Sequence, residues 1–544
     1  MRGTRFGPTN NPFLPIVAAG IIVWLLAIVL VSQRFSITEP SLIDDWTMLN
    51  QSPRALSQLS GLHFDPRSLA DGGRFRPGFW GIWSFLQWHT FGAPESIIGP
   101  NIWNVLRIGT LSFACSSMVV VSLRPDVRSR IGVARLSALA LLPGLGLLAT
   151  GQFVTDLARF GPQEPLLFGA TTLGLIAMLA ALRMLLSPGQ SPSRWRPIQV
   201  AALMVVGWLV WTLGVYQKEP SICLLVGAPF IVMELRQRWR PLTTIQKATV
   251  VAVAAIIVLP LLHMCYGILA EHGATSTVVY GTASPSSPTE WIYRLGESFL
   301  SQWHAIGTRL GAVGRFWQIA TLAVPFLITW RWIGDRSVPW IPIGLALTAL
   351  AVMVFQGLTL NEAPRYLIPV LALVSITLVL LIANAPSIVT WAATALVASA
   401  FVVSAYPTWA LMTDYVAREQ QGAALVNAVV GLNPENCPVY AAGLDVESSA
   451  ALPILVALRD SPAGRCTANV AGTLLLGEAT ADGSVAEVLK SCARSGWRLS
   501  RTVGTSQIRV CRRFRSSITS SDGSEVSVRS VLVAHRILVP SSPF

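Results

Sequence analysis

Charged side chains are scarce in this chain: Asp, Glu, Lys and Arg together make up 12% of its 544 residues. A soluble domain carries about twice that share, so an ordinary water-soluble globule is excluded. Other absences narrow the chemistry. There is no Gly-rich phosphate loop, no His and Cys cluster at metal-ligand spacing, no nucleophile elbow and no internal repeat. Without a nucleotide loop, an ATP-driven transporter is disfavoured.

Apolar residues are abundant instead, at 52% of the chain with a mean hydropathy of +0.56, so lipid is the main solvent. The net charge of +13 comes from Arg gathered in short clusters between apolar runs. There it sets membrane topology and does not mark a nucleic-acid partner. The first run, Pro15 to Val31, follows Arg2 and Arg5 and lacks a small-residue cleavage site. It reads as a retained signal anchor. A span needs about 20 apolar residues, and runs near that length follow at Ile102–Leu123, Ile131–Thr150, Pro165–Leu186, Ile198–Tyr216 and Pro220–Glu234. Five more lie at Ala248–Leu269, Phe316–Trp332, Val338–Gln356, Arg365–Ala383 and Pro386–Ala405.

The sequence therefore predicts an α-helical polytopic membrane protein of about eleven spans, over residues 1–408. Its basic clusters, around Arg124 to Arg135, Arg183 to Arg196, Arg236 to Lys247 and Arg331 to Arg336, all fall on one face. With the N-terminus they define the cytoplasmic side of a plasma membrane, the bacterial inner membrane. The loop 34–100, the connection at Glu164, the turn at Lys218, the loop 270–314 and the turn at Glu362 are then outside. After Tyr406 the composition turns soluble. Strand-like runs at Pro438–Ala442, Thr473–Leu476 and Ser506–Arg512 alternate with helical stretches at Ser448–Arg459 and Val485–Ser495, which predicts a small extracytoplasmic α/β domain over 412–515. A Ser-rich tail, 516–544, follows, in which Val526–Val539 is a further candidate strand. Cys437, Cys466, Cys492 and Cys511 lie in this domain. On an oxidising side they are disulfide candidates with three possible connectivities, the alternative being four core thiols.

Chemistry-bearing residues collect on the outer face. Asp44 and Asp45 follow the first span inside the otherwise apolar Ser41-Leu42-Ile43-Asp44-Asp45-Trp46. Two adjacent carboxylates held near lipid favour a raised pKa or a bound divalent cation, and a raised pKa suits a general base. The same loop continues through Arg74-Phe75-Arg76-Pro77, Trp80, Trp83, Trp88 and His89. That mixture describes either an aromatic belt or an anion site facing a base. Glu164 sits in Arg159-Phe160-Gly161-Pro162-Gln163-Glu164-Pro165, where irregular backbone at a membrane edge is compatible with a cavity wall. Its bland alternative is an ion pair with Arg159. Lys218 and Glu219 form one outer turn; Glu362, Arg365 and Tyr366 form another. The loop Glu271–Gly314 is long enough for a mobile lid or a passive interfacial helix.

This order of features resembles the GT-C glycosyltransferases, multispanning enzymes that use sugars carried on polyprenyl phosphate. They include protein mannosyltransferases, aminoarabinose transferases and arabinosyltransferases. Asp44-Asp45 matches that superfamily's acidic pair, Arg74-Phe75-Arg76-Pro77 looks like the basic element of its first outer loop, Glu164 like its second acidic position, and Arg365-Tyr366 like its late Arg-Tyr element. The resemblance covers roughly residues 15–405. It implies inverting transfer from a polyprenyl-phosphate sugar donor to a lipid, glycan or protein acceptor. Asp44 would be the base, with Asp45 or Glu164 orienting the acceptor or a divalent cation. Arg76, Lys218 and Arg365 would hold the donor phosphate, and Arg74, His89, Arg159, Glu362 and Tyr366 would line the substrate site. The tail domain is shorter and richer in cysteine than those of arabinosyltransferases. Rival readings are a lipid-linked glycan flippase, a glycan polymerase or ligase of another membrane fold, and a non-catalytic scaffold with an outer binding domain.

Overall fold

The computed structural model describes residues 13–36, 70–71, 74–75, 98–123, 125–158, 164–186, 196–237, 243–275, 287–310, 313–335, 338–358, 364–431, 439–442, 473–476, 497–503, 508–513 and 536–537. Among the described residues, thirteen helices make up the membrane region: α1 Phe13–Val31, α2 Ile98–Ser122, α3 Val133–Leu148, α4 Gly151–Ala158, α5 Glu164–Leu186, α6 Arg196–Val215, α7 Leu224–Gln237, α8 Thr244–Thr275, α9 Pro288–Arg309, α10 Gly314–Asp335, α11 Trp340–Leu358, α12 Ile368–Ile382 and α13 Ser387–Gly431. A seven-residue helix, Pro125–Ile131, bridges α2 and α3. Each of the eleven predicted apolar runs falls on one of these helices. Seven of the described helices are long and apolar enough to cross a membrane, and Val133–Leu148, Glu219–Phe230 and Ile368–Ile382 are shorter apolar segments. The chain is a multi-pass membrane protein.

Most of the remaining differences lie in the ends of elements. α13 has 45 residues with Pro407 inside it, so it spans about 67 Å at 1.5 Å per residue. The hydrocarbon core is about 30 Å thick, so much of α13 stands outside it, and the boundary expected at 408–412 falls within this one helix. Beyond α13, β3 Val439–Ala442, β4 Thr473–Leu476, β5 Trp497–Val503, β6 Ile508–Arg513 and β7 Arg536–Ile537 form a five-stranded sheet in the order β5-β6-β3-β4-β7. β3 and β4 are parallel and the other neighbours antiparallel. Three of these strands lie where the apolar runs placed them. β5 was not expected, because Arg498, Ser500 and Arg501 break its apolar pattern. β7 covers two residues of the expected run Val526–Val539. The expected helices at 448–459 and 485–495 lie outside the described residues.

α12 is the centre of the bundle. Its sequence, IPVLALVSITLVLLI, is apolar on every face, and 13 of its residues are buried, as expected of a helix with no polar stripe to offer a solvent. Its Ser375 and Thr377 return their hydroxyls to the Leu371 and Leu373 carbonyls, so no polar atom is stranded there. α2, α3, α5, α10 and α11 pack on it, and α1 and α13 join the same continuous core. α8 stands further out and shows Val251, Leu259 and Leu262 on its outer surface, and α13 shows Val402 and Val403 there. Such faces suit lipid.

Small residues set the close helix approaches, as expected where no hydrophobic effect drives helices together. α5 and α6 run antiparallel with Gly214 against Thr171, and with Gly174 against Gly207 and Trp211. A Cβ on Gly174 would stand 2.4 Å from the Trp211 nitrogen and 2.6 Å from the Gly207 oxygen. This seam leads up to Glu164 on α5 and to the turn that follows α6.

α8 contains Pro260, which cannot donate to the Ile256 carbonyl four residues back. That carbonyl accepts instead from Trp208 Nε1 at 3.2 Å, and the Ile257 carbonyl accepts from Trp211 Nε1 at 3.0 Å. The break in α8 is thus repaired from α6.

At the other end of the bundle, arginines bind the carbonyls that helix C-termini leave unsatisfied. Arg135 on α3 donates to the Ala383 and Ala385 carbonyls after α12 and to Thr390 Oγ1 on α13, the last at 2.9 Å. Arg331 donates to the Leu380 carbonyl at 2.7 Å, and Arg196 to that of Met184. Arginines of the basic clusters therefore lock helix ends. Arg135→Leu is expected to lower stability by about 2 kcal/mol, the size of a charge-assisted hydrogen bond, read as a lower melting midpoint of the purified protein.

Candidate functional site

Three separate connections meet at the end of the bundle opposite Arg135. Glu164 is the first residue of α5, with Pro165 next, a favoured residue in the first turn. A carboxylate at a helix N-terminus meets the positive end of the macrodipole. Lys218, Glu219 and Ser221 lie in the turn between α6 and α7, where Glu219–Cys223 form a 3-10 helix. Tyr366 lies in the 3-10 turn Pro364–Leu367 that opens α12.

Lys218 Nζ donates to Glu164 Oε1, and the two side chains are 4% and 1% exposed. The ammonium also lies 3.8 Å from the centroid of the Tyr366 ring, within cation–π range. A buried charge is tolerable only when matched, and here one lysine is matched by a carboxylate and a ring face from two distant connections. Of the predicted residues, the structure brings together Glu164, Lys218 and Tyr366. Lys218 is one partner of Glu164; Arg159, the partner considered from sequence, lies outside the described residues. Asp44, Asp45, Arg76, His89 and Glu362 also lie outside them. Arg365 is placed by its backbone beside Tyr366, and Arg74 by its backbone in β2 Arg74–Phe75, which pairs with β1 Ala70–Asp71. Cys437, Cys466 and Cys492 are outside the described residues; Cys511 sits in β6 opposite Tyr440 of β3. Cys115, Cys223 and Cys265 are free thiols. Among the described residues, no group of three or more His, Cys, Asp or Glu is placed to hold a metal ion.

Two buried cations at this end were not singled out from sequence. Arg107 on α2 is 0% exposed, and its Nη2 donates to the Leu157 carbonyl in the last turn of α4 at 2.8 Å. Arg34, just past α1, is 1% exposed. Arg107 did leave a signal: it is the one charge in the run Ile102–Leu123, and a charge inside a span marks function by default.

Beside the site, within the stretch 271–314, α9 packs on α10 and α11. Ser287 caps it by accepting from the Glu290 backbone N–H at 3.2 Å, as the spacing Ser287-Pro288-Thr289-Glu290 favours. One face is buried through Ser298, Gln302, Ala305 and Ile306, while Trp291, Ile292, Tyr293 and Leu300 are exposed. This is the pattern of an interfacial helix. Glu297, one turn on, accepts from the Tyr293 phenol and holds it above its ordinary pKa. Ser298 meets the backbone of Gly357 so closely that a Cβ there would stand 2.4 Å from the Ser298 carbonyl oxygen.

No family model and no curated protein sequence matches this chain. Two solved structures are similar to it. One is ArnT from Cupriavidus metallidurans bound to undecaprenyl phosphate, at 14% identity and a TM-score of 0.46, covering 93% of this chain and 98% of that one. The other is the same organism's ArnT in the apo state, at 12% identity and a TM-score of 0.47, covering 92% and 97%.

Proposed function

We propose that this protein is a membrane glycosyltransferase that moves a sugar from a polyprenyl-phosphate donor to a hydroxyl-bearing lipid, glycan or protein acceptor. The observation that carries the reading is the buried Glu164–Lys218 pair under Tyr366. A lipid phosphate that leaves during the reaction needs a fixed cation at the membrane edge, in a place from which water is excluded. Lys218 has three N–H donors, so Glu164 can hold it in place and leave others for phosphate. In this reading the chain crosses the membrane eleven times, its N-terminus is cytoplasmic, and the site, α9 and the C-terminal α/β domain are extracytoplasmic. Asp44 takes the acceptor proton as the hydroxyl attacks the anomeric carbon, and the polyprenyl phosphate departs toward Lys218, Arg76 and Arg365. Asp45 orients the acceptor or a divalent cation.

The test is transfer of radiolabelled sugar from a panel of synthetic polyprenyl-phosphate sugars by the purified protein in nanodiscs. Turnover is expected with at least one donor, and Asp44→Asn or Asp45→Asn is expected to reduce it about 10²-fold or more, in line with loss of a general base. If no donor supports turnover while a lipid-linked glycan crosses the membrane, the protein is a transporter.

A further inference from the structure

The turn that carries Lys218 holds two buried polar groups that the ion pair does not use. Gln217 is 1% exposed and Ser221 is 2% exposed. Backbone hydrogen bonds close the turn on both sides of Lys218, from the Gln217 N–H to the Gly214 carbonyl and from the Ser221 N–H to the Lys218 carbonyl, each at 3.1 Å. The amide of Gln217 is oriented, because Nε2 donates to the Leu213 carbonyl at 3.1 Å and a carbonyl accepts only from the NH₂ side. Gln217 Oε1 is therefore the atom left over, and it has no hydrogen-bond partner among the described residues. Ser221 Oγ is in the same condition. Buried polar atoms are nearly always satisfied, so these two orphans beside a buried lysine call for a hydrogen-bonding partner, a water or a ligand group.

The chemistry of these atoms selects the ligand. Gln217 Oε1 can only accept, so a phosphate or carboxylate oxygen cannot satisfy it. An ammonium group would be placed beside Lys218, a like charge. A hydroxyl donates to one atom and accepts from another, so a polyol satisfies both Gln217 Oε1 and Ser221 Oγ. We propose that the buried turn Gln217–Ser221 is a hydroxyl-binding subsite for the sugar carried by the lipid donor, with phosphate at Lys218 and sugar hydroxyls at Gln217 and Ser221. The subsite rests on the glycosyltransferase reading and extends it to recognition of the sugar itself.

The experiment compares binding of a polyprenyl-phosphate sugar with binding of the sugar-free polyprenyl phosphate to the full-length protein in nanodiscs, for wild type, Gln217→Leu and Ser221→Ala. Wild type is expected to prefer the sugar-bearing lipid. Each substitution is expected to erode that preference about tenfold, the loss of one buried hydrogen bond, with affinity for the sugar-free lipid unchanged. Ser221→Cys keeps the side chain's size while weakening its hydrogen bond, and is expected to shift the preference in the same direction if a larger change does not fold. If turnover is intact but the preference is unmoved and the apolar variants melt at higher temperature, the orphans only cost stability and the subsite is wrong. If wild type neither binds nor turns over any sugar-bearing lipid, the glycosyltransferase reading falls and the subsite with it.

Discussion

Glu164→Gln is expected both to destabilise the protein and to abolish its activity, and a second substitution is expected to separate the two effects. Removing the carboxylate leaves the buried Lys218 ammonium without this counter-charge. Breaking one side of a buried pair costs about 3–5 kcal/mol, whereas replacing both members with neutral side chains of similar size is often close to neutral. The double variant Glu164→Gln, Lys218→Met is therefore expected to recover most of the melting midpoint lost in Glu164→Gln alone. Transfer is expected to remain about 10²–10³-fold below wild type in both, the cost of removing one preorganised electrostatic group. Recovery of transfer along with stability would make the pair a structural clamp and move phosphate binding elsewhere.

Gly174→Leu is expected to have the larger effect on assembly. The atoms a Cβ would meet at this position belong to the backbone of α6, which cannot rotate away as a side chain would. The cost therefore exceeds the about 1–3 kcal/mol of ordinary overpacking. Size-exclusion profiles of the detergent-extracted protein should show most of the monodisperse peak lost, and Gly174→Ala should already weaken it. Gly296→Ala on the exposed face of α9 is the matched control: nothing lies within 4 Å of a Cβ there, and alanine gains about 1 kcal/mol of helix propensity over glycine. The two glycines look alike in composition. Only what faces them differs.

Some of the site was legible early because its signals are chemical and local. Glu164 beside Pro165 and Lys218 beside Glu219 and Pro220 stood out as charges at the ends of apolar runs, and they meet in the fold. Gln217 and Ser221 gave no such signal, since a polar residue in a turn is ordinary until its burial and its unmet hydrogen bond are known. Tryptophans in the spans were equally silent. Trp208 and Trp211 read as two more apolar residues of α6, yet the Trp208 indole N–H answers the carbonyl that Pro260 of α8 leaves without a donor, and that of Trp211 binds the next carbonyl.

The sequence by itself determined that this is a multi-pass helical membrane protein and where its long apolar helices lie, because the length and polarity of a span are properties of about twenty consecutive residues. It also determined which face carries the arginine clusters, since those are likewise counted along the chain. Tertiary structure decided which of the scattered charges become a site. Glu164 and Lys218 are 54 positions apart, and Tyr366 is further still. They meet because a glycine seam holds α5 and α6 at backbone contact and because α12, apolar on every side, draws its own first turn into the centre. Those contacts depend on which helix faces share a surface, and nothing local in the chain records that.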